Sequence, residues 1–235
     1  ACKSKDFETC DEYQELFSTA VIVNSLQDIS SDTKTSIFKK AAIFFNDNRN
    51  PQDLWQYFSH DSSLSIYPDL DTSTYILAFL ENQGEKFSSQ KIIEENVDQH
   101  GLFYLWIMDN NEFNDVDCGV NANVLAYLKQ GKAEVCDYIL DTITHQKKCS
   151  MYYYDDLILY YLYSRAFQKG VSCLESAKSL VINRTLAKQK ENGSFGSDLE
   201  TAMAINILEN FEHNGGQAQE AATYLLGRQR PQGNW

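Results

Sequence analysis

Two kinds of apolar pattern alternate along the chain. Five stretches are apolar nearly all round: LFSTAVIVNSL from Leu16, DLDTSTYILAFLEN from Asp69, DVDCGVNANVLAYL from Asp115, YDDLILYYLYSRAF from Tyr154 and DLETAMAINILENF from Asp198. Their starts recur at roughly 40–50 residues, the period of helical-hairpin arrays. Between and after them lie TKTSIFKKAAIFF, SSQKIIEENV, KAEVCDYILDTI, CLESAKSLVINRTLAKQ and GQAQEAATYLLGRQ, each with a narrow apolar stripe and a charged opposite face. A helix apolar on every side is buried, and a striped one lies at a surface. The pattern therefore predicts an all-α chain of about five hairpins, inner helices alternating with outer ones. An inner ring wrapped by an outer ring satisfies it, and so does an open α-solenoid in which each hairpin buries only against its neighbours.

Turn chemistry bears on that choice. Gly-x-aromatic occurs at Gly101–Phe103, Gly193–Phe195 and Gly233–Trp235, each between an outer segment and the expected start of an inner one. In the last two a Gln stands four residues before the Gly: Gln189, Gly193 and Phe195 in QKENGSF, then Gln229, Gly233 and Trp235 in QRPQGNW. Glycine permits a left-handed turn at a helix end. The aromatic ring can then fold back onto neighbouring helices, and the Gln amide can satisfy free backbone groups.

These two heptapeptides resemble the QW repeats of squalene–hopene cyclases and related class II terpene cyclases, which recur in degenerate form in protein prenyltransferase β subunits. The likeness runs from Tyr57 to Trp235 and more loosely over the N-terminal quarter. It implies an α/α toroid, inner helices ringing a central cavity, with five to six hairpins in a single domain over 1–235. Counting five against the six of a full toroid, the expectation is a chain truncated at its C-terminus, or a ring that its N-terminal helices close.

Composition fits a globular helical protein. The chain has 235 residues, 43% hydrophobic and 13% aromatic, with only three Pro. No apolar run approaches the roughly 20 residues of a membrane span. Net charge is −13 with dispersed Lys and Arg, which argues against a nucleic-acid partner. The six Cys (Cys2, Cys10, Cys118, Cys136, Cys149 and Cys173) form no CxxC pair and read mostly as reduced, small core residues. The expected location is the cytoplasm, although an Ala-Cys start also matches a lipoprotein cleavage scar. Two sequons, Asn183-Arg184-Thr185 and Asn192-Gly193-Ser194, matter only in a secreted chain.

The resemblance directs attention to acids at inner-helix starts. Class II cyclases protonate an alkene or epoxide with the middle Asp of a DxDD motif. A carboxyl kept neutral by desolvation and by a neighbouring carboxylate can do this. Asp69-Leu70-Asp71-Thr72-Ser73 resembles the DxDT variant, with Asp71 as the matching donor and Asp69 its partner. Asp115-Val116-Asp117-Cys118-Gly119 resembles DxDD with Cys in last place, with Asp117 as donor and Asp115 as partner. A third copy, Asp198-Leu199-Glu200-Thr201-Ala202, carries Glu in the middle. Phe103, Trp106, Tyr153 and Tyr154 are the expected substrate-facing aromatics, whose ring faces can stabilise a carbocation. The competing use is simple: Asp and Thr at a helix start cap it, worth about 1 kcal/mol each, and for any single Asp capping is the better-supported role.

Other chemistries lack their residues. Asp155-Asp156 has no third carboxylate for a magnesium motif. The four His and the Asp-Cys spacing match no zinc set, so no metal or cofactor is expected. The complement-type thioester sequence is absent. Two functions remain: an isomerase- or lyase-type cyclase acting on an isoprenoid, and a non-catalytic toroid that binds a hydrophobic small molecule or a protein partner.

Overall fold

A computed structural model describes residues 14–62, 64 and 66–233. Its regular elements are helices: α1 (Leu16–Ser25), α2 (Asp32–Asp47), α3 (Leu70–Asn82), α4 (Gln90–Glu95), α5 (Cys118–Leu128), α6 (Ala133–His145), α7 (Asp156–Gln168), α8 (Lys178–Leu186), α9 (Asp198–Asn210) and α10 (Gln217–Arg228). A 3-10 turn, Ser172–Ala177, precedes α8. Extended pairing among the described residues is confined to isolated bridges. Each inner and outer segment expected from the sequence is a helix, with α8 preceded by that turn.

The chain divides into two compact units, Ala1–Asp98 with Phe103–Asp115, and Gln99–Leu102 with Val116–Trp235. In the first, α1 packs on α2 and α3. Every residue of α3 from Leu70 to Leu77 is buried, as its all-round apolar pattern requires. Phe38 and Phe45 of α2 meet Phe79 of α3 edge-on, with ring centroids 5.0 and 5.6 Å apart. Trp55, fully buried, donates its indole N–H to the Phe45 carbonyl at 2.7 Å.

In the second unit α7 packs on α5 and α9, and α10 on α9. All of α5 from Cys118 to Tyr127 is buried. The outer α6 buries one stripe, Val135, Cys136, Ile139, Thr142 and Ile143, at the i, i+4, i+7 spacing of a surface helix.

Two expectations are corrected here. The inner helices are not equally enclosed: α1 buries only Leu16, Ala20 and Val23, and α9 only Thr201, Ala204, Ile207 and Leu208. Each uses a single stripe, leaving Ile22 58% and Leu199 63% exposed. The cysteines are not reduced core residues. Cys118 is bonded to Cys149 and Cys136 to Cys173, and among the described residues no cysteine is free. Cys2 and Cys10 lie outside the described residues, as does Trp235 of the second glutamine–glycine–aromatic turn.

Candidate active site

The N-terminus of α3 is built from three segments. Asp69 is extended (φ −126°, ψ 151°) and caps the helix, its Oδ1 accepting the Thr72 N–H at 2.6 Å. Its own N–H donates to the Trp55 carbonyl at 3.0 Å, and Leu70 N–H donates to the Leu105 carbonyl at 2.8 Å. Ser73 closes the other side. Its hydroxyl accepts Trp55 N–H and donates to Trp55 O.

The Phe103–Trp106 strip is held alongside by amide side chains. Asn114 accepts Trp106 N–H at 2.9 Å and donates back to Trp106 O at 2.7 Å, imitating a strand. Asn96 donates to the carbonyls of Tyr104 and Trp106. Asp69 and Trp106 form an antiparallel bridge, whereas Phe103 bridges to Val97, so one of the expected aromatics adjoins the expected acid pair. Phe103 is buried and Trp106 half-buried. The half-buried Asp115 contributes its carbonyl, which accepts Leu105 N–H at 2.8 Å.

Asp69 and Asp71 are both buried, and Asp69 Oδ2 and Thr72 Oγ1 have no hydrogen-bond partner. A buried orphan oxygen is costly on a carboxylate and much less so on a neutral acid. Burial is the main cause that raises the Asp69 carboxyl to about 8; the Thr72 N–H opposes it and the charge of Asp71 adds to it. At neutral pH the pair thus holds a proton.

At the start of α5 the acid is used differently. Asp117 is 1% exposed. Oδ1 accepts Gly119 and Val120 N–H at 2.8 and 3.2 Å. Oδ2 accepts the Ser150 hydroxyl at 2.6 Å and Met151 N–H at 3.0 Å. The loop that supplies these donors is tied to the helix by the Cys118–Cys149 bond and by Cys118 N–H to Cys149 O. Ser150 also accepts the N–H groups of Tyr152 and Tyr153. The Tyr153 ring then lies on Gly119, where a Cβ would sit 2.4 Å from Cδ2, so the position that is Thr in the resembled motif must be glycine. Tyr153 is half-buried and Tyr154 is 89% exposed.

The remaining acids stand at helix starts. Asp155 Oδ1 accepts Leu157 N–H. In the third copy the cap is Ser197, reciprocated by Glu200, while Asp198 pairs with Arg228 at 2.7 Å. In the turns, Gln189 Nε2 donates to Gly193 O and, at the base of α10, to Gln217 O. Gly193 has φ +84°, and a Cβ there would lie 3.0 Å from Glu220 O. Gln229 Nε2 repeats the first bond to Gly233 O at 2.9 Å. Among the described residues no cluster of His, Cys, Asp and Glu could hold a metal ion, and no helix is long and apolar enough to cross a membrane.

Comparison with solved structures names the architecture. The apo type II terpene cyclase MstE from Scytonema superposes with a TM-score of 0.75 over 94% of this chain and 70% of that chain, at 17% identity. The fold is that of a terpenoid cyclase α/α toroid. An Asp→Asn variant of the same enzyme, in complex with its substrate geranylgeranyl dihydroxybenzoate, superposes at a TM-score of 0.71 and 16% identity, with the same coverage. No protein-family profile and no curated protein sequence matches the chain. Sequence reasoning missed the disulfides, the Ser150–Asp117 pairing and the Asn96 and Asn114 clamps. The even cysteine count was a signal for the first. The others depend on contacts over 33 and 8–10 residues that no local pattern marks.

Proposed function

We propose that the chain is a class II terpene cyclase-like enzyme in which the Asp69–Asp71 pair starts cyclisation of an isoprenoid by protonating it. The observation that carries this reading is the buried carboxyl pair at the start of α3, one member kept neutral to about pH 8 mainly by burial, in a fold shared with a type II terpene cyclase. Asp71, in the first turn of α3, takes the proton held by neutral Asp69 and gives it to a terminal alkene or epoxide. Asp69 keeps the pair protonated between turnovers. The charge left behind faces the helix N-terminus, whose N–H groups favour an anion. Trp106, bridged to Asp69, is positioned to stabilise the cation formed. Asp117, with both oxygens engaged, serves as the α5 cap.

The test is product analysis with a geranylgeranyl dihydroxybenzoate, prenyl diphosphates and squalene. The expected result is a cyclised product that Asp71→Asn loses, by at least about 100-fold as for loss of a general acid, and that folded Asp117→Asn retains. Absence of product from every substrate, or product that survives in an Asp69→Asn, Asp71→Asn double variant, overturns it. The alternative is a non-catalytic toroid; at α5 the Tyr153 ring fills the space over Gly119, which favours a protein partner over a hydrophobic ligand there.

A further inference from the structure

We infer that this chain matures in an oxidising secretory compartment and carries an N-linked glycan on Asn192. The inference is independent of the cyclase reading. Cys118–Cys149 and Cys136–Cys173 close loops whose ends lie 31 and 37 residues apart. The first ties the start of α5 to the loop after α6. The second ties α6 to the 3-10 turn before α8. Structural disulfides of this kind form and persist outside the reducing cytosol, so they displace the cytoplasmic expectation and make the two sequons chemically relevant.

The structure separates the sequons. Asn192 is exposed in the turn between α8 and α9, among exposed Lys188, Lys190 and Glu191. Its Oδ1 accepts Ser194 N–H at 3.1 Å and the Ser194 hydroxyl at 2.8 Å. The local asparagine turn thus brings hydroxyl and amide together. In transfer from a lipid-linked oligosaccharide, Nδ2 forms a bond to the anomeric carbon as that carbon's bond to a polyprenyl diphosphate oxygen breaks. The amide proton leaves to a base of the transferase.

Asn183 lies within α8, where residues two apart point to different faces. Asn183 is exposed, and both hydroxyl partners are buried, Thr185 fully and Ser194 to 2% exposure, so what separates the sites is the helix that holds Asn183 against the turn that holds Asn192. Selective use of Asn192 follows.

The chain is secreted from a eukaryotic cell line and mapped by mass spectrometry after peptide N-glycosidase treatment in heavy-oxygen water. Label at Asn192 and none at Asn183 is expected. Asn192→Gln should remove the glycan mass and Asn183→Gln should leave it unchanged. An unmodified Asn192 in folded secreted protein, or a glycan on Asn183, overturns the assignment; wild-type mapping decides even where a variant misfolds. For the compartment, thiol labelling of the denatured secreted protein should leave Cys118, Cys136, Cys149 and Cys173 unreactive until reduction. A fully reduced chain made in the cytosol that melts at the same temperature as the secreted protein overturns that half.

Discussion

Asp69 and Asp117 show how one residue type in one local role can sit in two hydrogen-bonding environments. Both cap an inner helix. Asp117 meets four donors, two per oxygen, and stays a working acceptor. Asp69 accepts the Thr72 N–H on Oδ1, and its Oδ2 has no partner. The consequence is a pH dependence with a definite sign. The folded value of Asp69, about 8, lies above its ordinary 3.8. Between those pH values the folded chain binds a proton the unfolded chain has released. The stabilisation from Asp69 is therefore complete below about pH 4 and lost as pH rises through about 8. Asp69→Asn keeps the acceptor for Thr72 N–H and removes the titration. Urea denaturation at pH 5 and pH 8 should show the variant gaining on the wild type by about 3–4 kcal/mol over that interval; a constant gap disproves the burial-driven shift. Asp117→Asn acts through hydrogen bonds instead: it retains Oδ1 but loses the acceptor for Ser150 and Met151, and should destabilise by about 2–3 kcal/mol, measured in the same way.

At the scale of elements, the sequence was legible wherever a feature repeats or is local. The apolar alternation marked each hairpin, because burial on all sides or on one side leaves different periods in the chain. The caps were legible because Asp and Ser at a helix start act on N–H groups two or three residues on. The Gln189 turn was legible in part. Its bond to Gly193 is local, whereas its bond to Gln217 spans 28 residues and emerges only once α10 is folded against α9. The disulfides were illegible for the same reason, since partners 31 and 37 residues apart are brought together by helix packing. By loop-closure entropy alone, bridges of that span stabilise by about 3–4 kcal/mol each. The Cys118–Cys149 bond fixes the loop on which the Ser150–Asp117 bond depends, so the Asp117 copy of the motif caps α5 within a stapled loop.

For the whole molecule, fold and function part company. A toroid likeness at 17% identity transmits the arrangement of helices, because that arrangement follows from a repeated burial pattern many sequences satisfy. It does not transmit a substrate, which depends on a few side chains at the site. Binding and chemistry can be separated by mass action. A ligand that binds the folded chain alone at about 100 times its dissociation constant stabilises it by about 2.7 kcal/mol, which for a chain of this size raises the melting temperature by roughly 5–10 °C. If the proposed acid pair lies in an isoprenoid site, geranylgeranyl dihydroxybenzoate should raise the melting temperature of the wild type and of Asp71→Asn alike, since the substitution removes a proton and leaves the apolar surroundings in place. A rise in both with turnover only in the wild type is the signature of a cyclase. A rise in both with turnover in neither identifies a binding toroid. No rise in either, at ligand concentrations up to its solubility, excludes an isoprenoid site of useful affinity and with it the reading of Asp71 as a proton donor.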